Sequence, residues 1–117
     1  MSYYTRFEVT WDDSDWAKGN IAEEQIIAAA RPFILGNDWS EDVLNDLRDA
    51  LRGFGQPGMA KLPSYCIEQM AVHISRSIPD VTFYARAMGE NFADVWIRQI
   101  RDGKVTLARG PFDVKGN

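Results

Sequence analysis

The chain has one cysteine, Cys66, and one histidine, His73, among its 117 residues. A lone thiol forms no disulfide within the chain and rules out zinc sites built on two or four cysteines. A lone imidazole rules out metal sites that need two. The two residues could still form a Cys–His dyad, but sulfur and ring nitrogen would have to lie within about 3 Å of each other. Seven positions along one helix put them on the same side yet about 10 Å apart along the axis. Cys66 therefore reads as a core residue and His73 as a boundary residue.

Other signatures are missing too. No apolar run reaches the ~18 residues of a membrane helix, and no apolar segment follows Met1, so neither a membrane span nor a secretory signal is expected. With a single thiol, the cytoplasm is the expected compartment. Gly53-Phe54-Gly55-Gln56-Pro57-Gly58 starts like a dinucleotide loop, but it follows a helix pattern and Pro57 interrupts it. Asp13, Asp15 and Glu24 have the outline of a calcium loop, with Ala17 at the fifth position and Lys18 at the sixth, where glycine is needed. Ser40, Ser64, Ser75 and Ser77 lack a serine-hydrolase context, and nothing fixes Glu90 and Asp94 as an acid–base pair. No cofactor, no metal and no enzymatic activity are expected.

What is present is an ordinary globular composition, 45% hydrophobic and 26% charged, with four Trp, six Phe and four Tyr. The length fits one domain spanning residues 1–117. The net charge of −4 is unevenly spread: 11 acidic and 5 basic residues in 1–60, against 6 acidic and 8 basic in 61–117.

Tyr3, Thr5, Phe7, Val9 and Trp11 alternate with polar residues, which predicts a half-buried strand over 3–11. Residues 12–19 read as a loop. Asn20 and Glu23 form a capping-box pattern before a helix that Pro32 should end or kink near Ala30 or Arg31. Ser40 should cap a second helix with Val43, Leu44, Leu47, Leu51 and Phe54 inward. Residues 55–63 read as a Pro/Gly loop. Ser64 should cap a third helix with Ile67, Met70, Ala71, Ile74 and Ile78 inward, ended by Pro79. Strands follow at 80–87, 93–101 and 104–109, and Asp102-Gly103 is a strong hairpin turn. A tight turn there sets Ile100 opposite Val105, Arg98 opposite Leu107 and Trp96 opposite Arg109. The order β-α-α-α-β-β-β predicts an α+β fold, a four-stranded antiparallel sheet with helices packed on one face.

In that register Asp94, Trp96, Arg98 and Arg109 share one sheet face, a candidate binding surface where a tryptophan beside arginines could stack on a base. The acidic helix face of Asp42, Asp46 and Asp49 is a second candidate. Both faces of the last hairpin are partly apolar, which suggests a further buried surface such as a homodimer contact.

The chain also resembles a loose group of small proteins encoded by bacteriophages and prophages. The resemblance runs through Tyr3-Tyr4-Thr5-Arg6-Phe7, Lys61, Glu68-Gln69-Met70, Ile74-Ser75 and Pro79-Asp80-Val81-Thr82-Phe83, then Gly89-Glu90, Asp94-Val95-Trp96 and Asp102-Gly103-Lys104. That group tends to read lysine-tryptophan-tyrosine-aspartate-histidine before the third helix, where this chain has Leu62-Pro63-Ser64-Tyr65-Cys66. The resemblance implies an α+β fold and a phage accessory protein in the host cytoplasm, and it implies no reaction. With no catalytic set, many aromatics and an uneven charge, the expected function is the binding of a host or phage macromolecule, with a protein as the expected partner. The alternative is nucleic-acid or nucleotide binding by the sheet face around Trp96, Arg98 and Arg109.

Overall fold

The computed structural model describes residues 3–11, 22–52, 57–91 and 93–110. In chain order they form β1 (Thr5–Trp11), α1 (Glu23–Gly36), α2 (Asp42–Ala50), β2 (Gly58–Ala60), α3 (Ser64–Ser77), β3 (Thr82–Met88), β4 (Val95–Arg101) and β5 (Lys104–Arg109). The α+β class is as expected, but the antiparallel sheet has five strands, ordered β2-β1-β3-β4-β5, rather than four. The added strand is β2, within the stretch that reads as a Pro/Gly loop. It is short, and it pairs through Thr5–Ala60, Arg6–Met59 and Phe7–Gly58. Its local composition opposes a strand, and tertiary pairing with β1 overrides that preference.

The period of two in β1 and β3 sorts the sheet into two faces. Phe7, Ala87 and Trp96 lie across from one another, as do Trp11, Phe83 and Ile100. This face packs against the helices. Phe7, Val9, Phe83, Ala85 and Ile100 join Ile26, Ile34, Leu47, Ile67, Met70 and Ile74 in one buried core. Each large aliphatic or aromatic side chain removed from water in this way contributes about 1.5–3 kcal/mol.

Several helix boundaries differ from the sequence expectation. Helix α1 runs through Pro32 to Gly36. Pro32 is exposed, so water can take up the carbonyl that its missing N–H leaves free, while buried Ile34 holds the next turn to the core. The end is sealed by Asn37, whose Nδ2 donates to the Phe33 carbonyl at 2.7 Å. At the start of α1, Ala22 is the N-cap, and its N–H donates to Gln25 Oε1 at 2.8 Å. Glu23 is thus the first helical residue, and Asn20, like Phe54 and the calcium-loop pattern at Asp13–Lys18, lies outside the described residues. Ser64 is the first residue of α3 after Pro63 rather than its cap, because its hydroxyl is used elsewhere. At α2 the N-cap residue is Glu41, one position after the expected Ser40, but Ser40 still binds the helix start: its Oγ accepts from the Asp42 N–H at 3.1 Å.

The last hairpin turns at Asp102 and Gly103, with φ of 52° and 77°, as an Asp-Gly turn requires. Asp102 also accepts from the Asp80 N–H at 2.7 Å, and the Gly103 N–H donates to Ser75 Oγ at 3.0 Å, which ties the turn to α3. Ile100 faces Val105 as expected, but the register then shifts, and Gln99 faces Leu107. Thr106 is the extra residue, and its hydroxyl donates to the Gln99 carbonyl at 3.1 Å. Beyond this bulge, Arg98 lies opposite Ala108 and Arg109 opposite Ile97, so the expected Arg98–Leu107 and Trp96–Arg109 pairs do not form.

Candidate interaction surface

The bulge divides the four residues expected to share a face. Trp96 is on the helix side and 8% exposed. Arg98 lies on that side too, with its guanidinium carbon 4.9 Å from the Trp96 ring centre. Its Nε donates to Glu68 Oε2 of α3 at 2.6 Å. Trp96 and Arg98 are therefore an internal cation–π and ion-pair contact joining β4 to α3. Arg109 is carried to the opposite face beside Ile97. Glu68 could not be foreseen as the partner of Arg98, because a pairing between helix and sheet leaves no periodic trace in the sequence.

Asp94 stands just before β4. Tyr3 donates its hydroxyl to one carboxylate oxygen and Ser64 donates to the other, both at 2.6 Å. The turn behind it closes through Gly89 N–H to the Asp94 carbonyl at 2.7 Å. Gly89 leaves the needed room, since a Cβ there would lie 2.1 Å from the carboxylate and 2.2 Å from the Tyr3 hydroxyl. The bond to Asp94 raises the Tyr3 pKa above its ordinary value of about 10, since ionising Tyr3 would set two anions side by side. This cluster joins the start of β1, the start of α3 and the β3–β4 turn. Both of its carboxylate oxygens are occupied from within.

Cys66 and His73 lie on one unbroken helix, and burial pushes the Cys66 thiol above its ordinary pKa, the opposite of what a nucleophile needs. His73 stacks on Phe33 of α1, with ring centres 4.9 Å apart.

On the acidic helix face, partial burial, then the charges of Asp49 and Asp42, raise the Asp46 pKa. The folded state therefore holds this proton more tightly than the unfolded chain does. The favourable contribution is complete below the unfolded pKa and is lost as pH rises through the folded one. Asp46→Asn should therefore stabilise the fold at neutral pH by up to about half a kcal/mol, since solvent screens this surface. Urea titrations at neutral pH and near pH 3 should show that gain vanish in acid.

The remaining face is the outer side of the sheet, which no helix covers among the described residues. An antiparallel sheet with one solvated face normally reads polar there. Here Met59, Met88, Val95, Ile97 and Leu107 lie on it, each between 36% and 50% exposed. Two shallow depressions mark it. One, of about 380 Å³, is lined by Tyr4, Arg6, Met59, Met88 and Glu90. The other, of about 510 Å³, includes Arg6, Arg86, Met88, Val95 and Ile97. They share Arg6 and Met88 and so form one trough across the strands. Basic side chains surround it: Arg6, Arg86, Arg101, Lys104 and Arg109 all point to this side of the sheet. Of its carboxylates, Glu8 is buried and ion-paired with Arg86 directly across the strands, and Glu90 sits at one end of the trough, where it accepts from the Tyr4 N–H. The even positions of β1 and β3 and the odd positions of β4 carry this face in the sequence, but the bulge hides Leu107 and Arg109 from it.

Among the described residues no cluster of His, Cys, Asp and Glu could hold a metal ion, and no helix is long and apolar enough to cross a membrane. No protein-family model matches the chain, nor does any curated protein or solved structure.

Proposed function

We propose that the protein is a non-enzymatic accessory protein of the phage type, which acts in the host cytoplasm by binding a host or phage protein through the outer face of its sheet. The observation that carries this reading is the apolar row Met88, Val95 and Ile97 on a face with no helix over it. Single exposed apolar residues are common on protein surfaces, but a contiguous group within a basic rim marks an interaction site. The phage assignment rests on the resemblance of the Tyr3–Phe7, Asp94–Trp96 and Asp102–Lys104 segments. Burial of Trp96 and the pairing of Arg98 with Glu68 count against the alternative, a base-stacking site at Trp96 and Arg98.

Affinity capture from lysate of phage-infected host cells tests the reading. The wild-type chain should retain a partner protein that Ile97→Asp does not, although both melt at similar temperatures. Equal retention by the two would contradict it.

A further inference from the structure

We infer that the partner segment on the outer sheet face is acidic and carries aliphatic anchor side chains, a conclusion that rests on the reading above. The trough over Met59, Arg6, Met88 and Val95 has the size and chemistry to take aliphatic side chains. Methionine is unbranched and can re-pack around different anchors, which makes it common at peptide-binding surfaces. Around the trough the charge is mainly positive, with Glu90 at one end, where it accepts from the Tyr4 N–H at 3.2 Å. Arg6 and Arg109 are exposed and form no ion pair among the described residues. The carboxylate in the middle of the face, Glu8, is already neutralised by Arg86. The chain as a whole is at −4, so an acidic partner is attracted to this face and repelled by the helix side.

The same layout argues against the other occupants. A second copy docked face to face would bring two mainly basic rims together. A second copy docked by its acidic helix would present Asp42, Asn45 and Asp49, none of which is an apolar anchor for the trough. Single-stranded nucleic acid is held by rings on which bases stack as well as by charge. Among the described residues the rings on this side, Tyr4 and Tyr84, are far apart: Tyr84 lies across from Thr10, six residues along the chain from Tyr4, or roughly 20 Å of strand. The side chains between them are aliphatic or charged.

The test is selection from a displayed random-peptide library on the immobilised full-length chain, with an oligothymidylate binding measurement alongside. The retained peptides should be rich in Asp and Glu with interspersed Leu, Ile or Met. Their affinity should fall about tenfold or more in the double variant Arg6→Glu, Arg109→Glu, and should weaken as salt rises. Both substitutions are at exposed positions, and a thermal melt confirms that the variant folds. Enrichment of neutral or basic peptides, no enrichment at all, or acidic peptides that bind the double variant equally well would overturn the inference. Tight oligothymidylate binding that Ile97→Asp abolishes, with no acidic peptide retained, would also overturn it while leaving the outer face as the binding surface. Equal capture by wild type and Ile97→Asp in the lysate experiment would instead remove the face itself.

Discussion

Gly58→Ala is expected to destabilise the protein by about 3 kcal/mol, the upper end of ordinary overpacking, and to lower its melting temperature by roughly 10 °C. Gly58 opens β2 on the helix side of the sheet, opposite Phe7. A Cβ at this position would lie 2.0 Å from the Asp46 carbonyl oxygen and 3.1 Å from the Ala50 backbone nitrogen. Both contacts are helix backbone, so no side chain can swing aside, and α2 would have to move off the sheet. The strand would lose its pairing or the helix its buried Leu47 and Ala50. Differential scanning calorimetry of the variant checks this. A melting temperature within a degree or two of wild type would mean that α2 and β2 are less closely packed than described. Gly36→Ala is the matched control, because its Cβ would meet nothing within 4 Å and should leave the melt nearly unchanged.

Asp94→Ala is the second large effect. It removes the acceptor of two short hydroxyl bonds from Tyr3 and Ser64, and bonds to a charged group are each worth about 1.5–3 kcal/mol. Because the two share one carboxylate and part of that loss is recovered from water, a total of about 2–3 kcal/mol is expected. Tyr3→Phe and Ser64→Ala should each reproduce part of it, and neither should add fully to Asp94→Ala, as residues of one network do not. A second readout is specific to the bond. The tyrosinate absorbance of Tyr3 should titrate above about 10 in the wild type and fall back toward that value in Asp94→Ala. The Tyr3 hydroxyl favours folding in full below the unfolded pKa, and that contribution disappears as pH rises through the higher folded value. An unchanged Tyr3 titration in Asp94→Ala would show that the carboxylate is not its partner.

Much of this architecture is legible in the sequence because it follows from periodicity. The alternation in Thr5–Trp11 and Thr82–Met88, the apolar spacing of Ile67, Met70, Ala71 and Ile74, and the Asp102-Gly103 turn each state their own local structure. What is not legible arises from contacts distant in sequence. The strand at Gly58–Ala60 exists because β1 pairs with it, and its own residues argue for a loop. Pro32 stays within α1 because it faces water while Ile34 is held in the core. The extra residue at Thr106 looks like any other position in a strand pattern, and that one insertion moved Arg109 to the other face. The expected grouping of Asp94, Trp96, Arg98 and Arg109 thus becomes three separate arrangements: a carboxylate tie, a half-buried Trp–Arg–Glu contact, and an arginine on the outer face. The proposed interaction surface is half visible in the sequence as the second apolar face of the last hairpin, where a homodimer contact is one of the expectations.

The most direct measurement on the outer sheet face is site-specific photocrosslinking in infected host cells. A benzoylphenylalanine in place of Ile97 should form a discrete adduct with a partner protein, while the same group in place of Asp49 on the acidic helix face should form none. A discrete adduct from position 49, with none from position 97, would contradict the assignment.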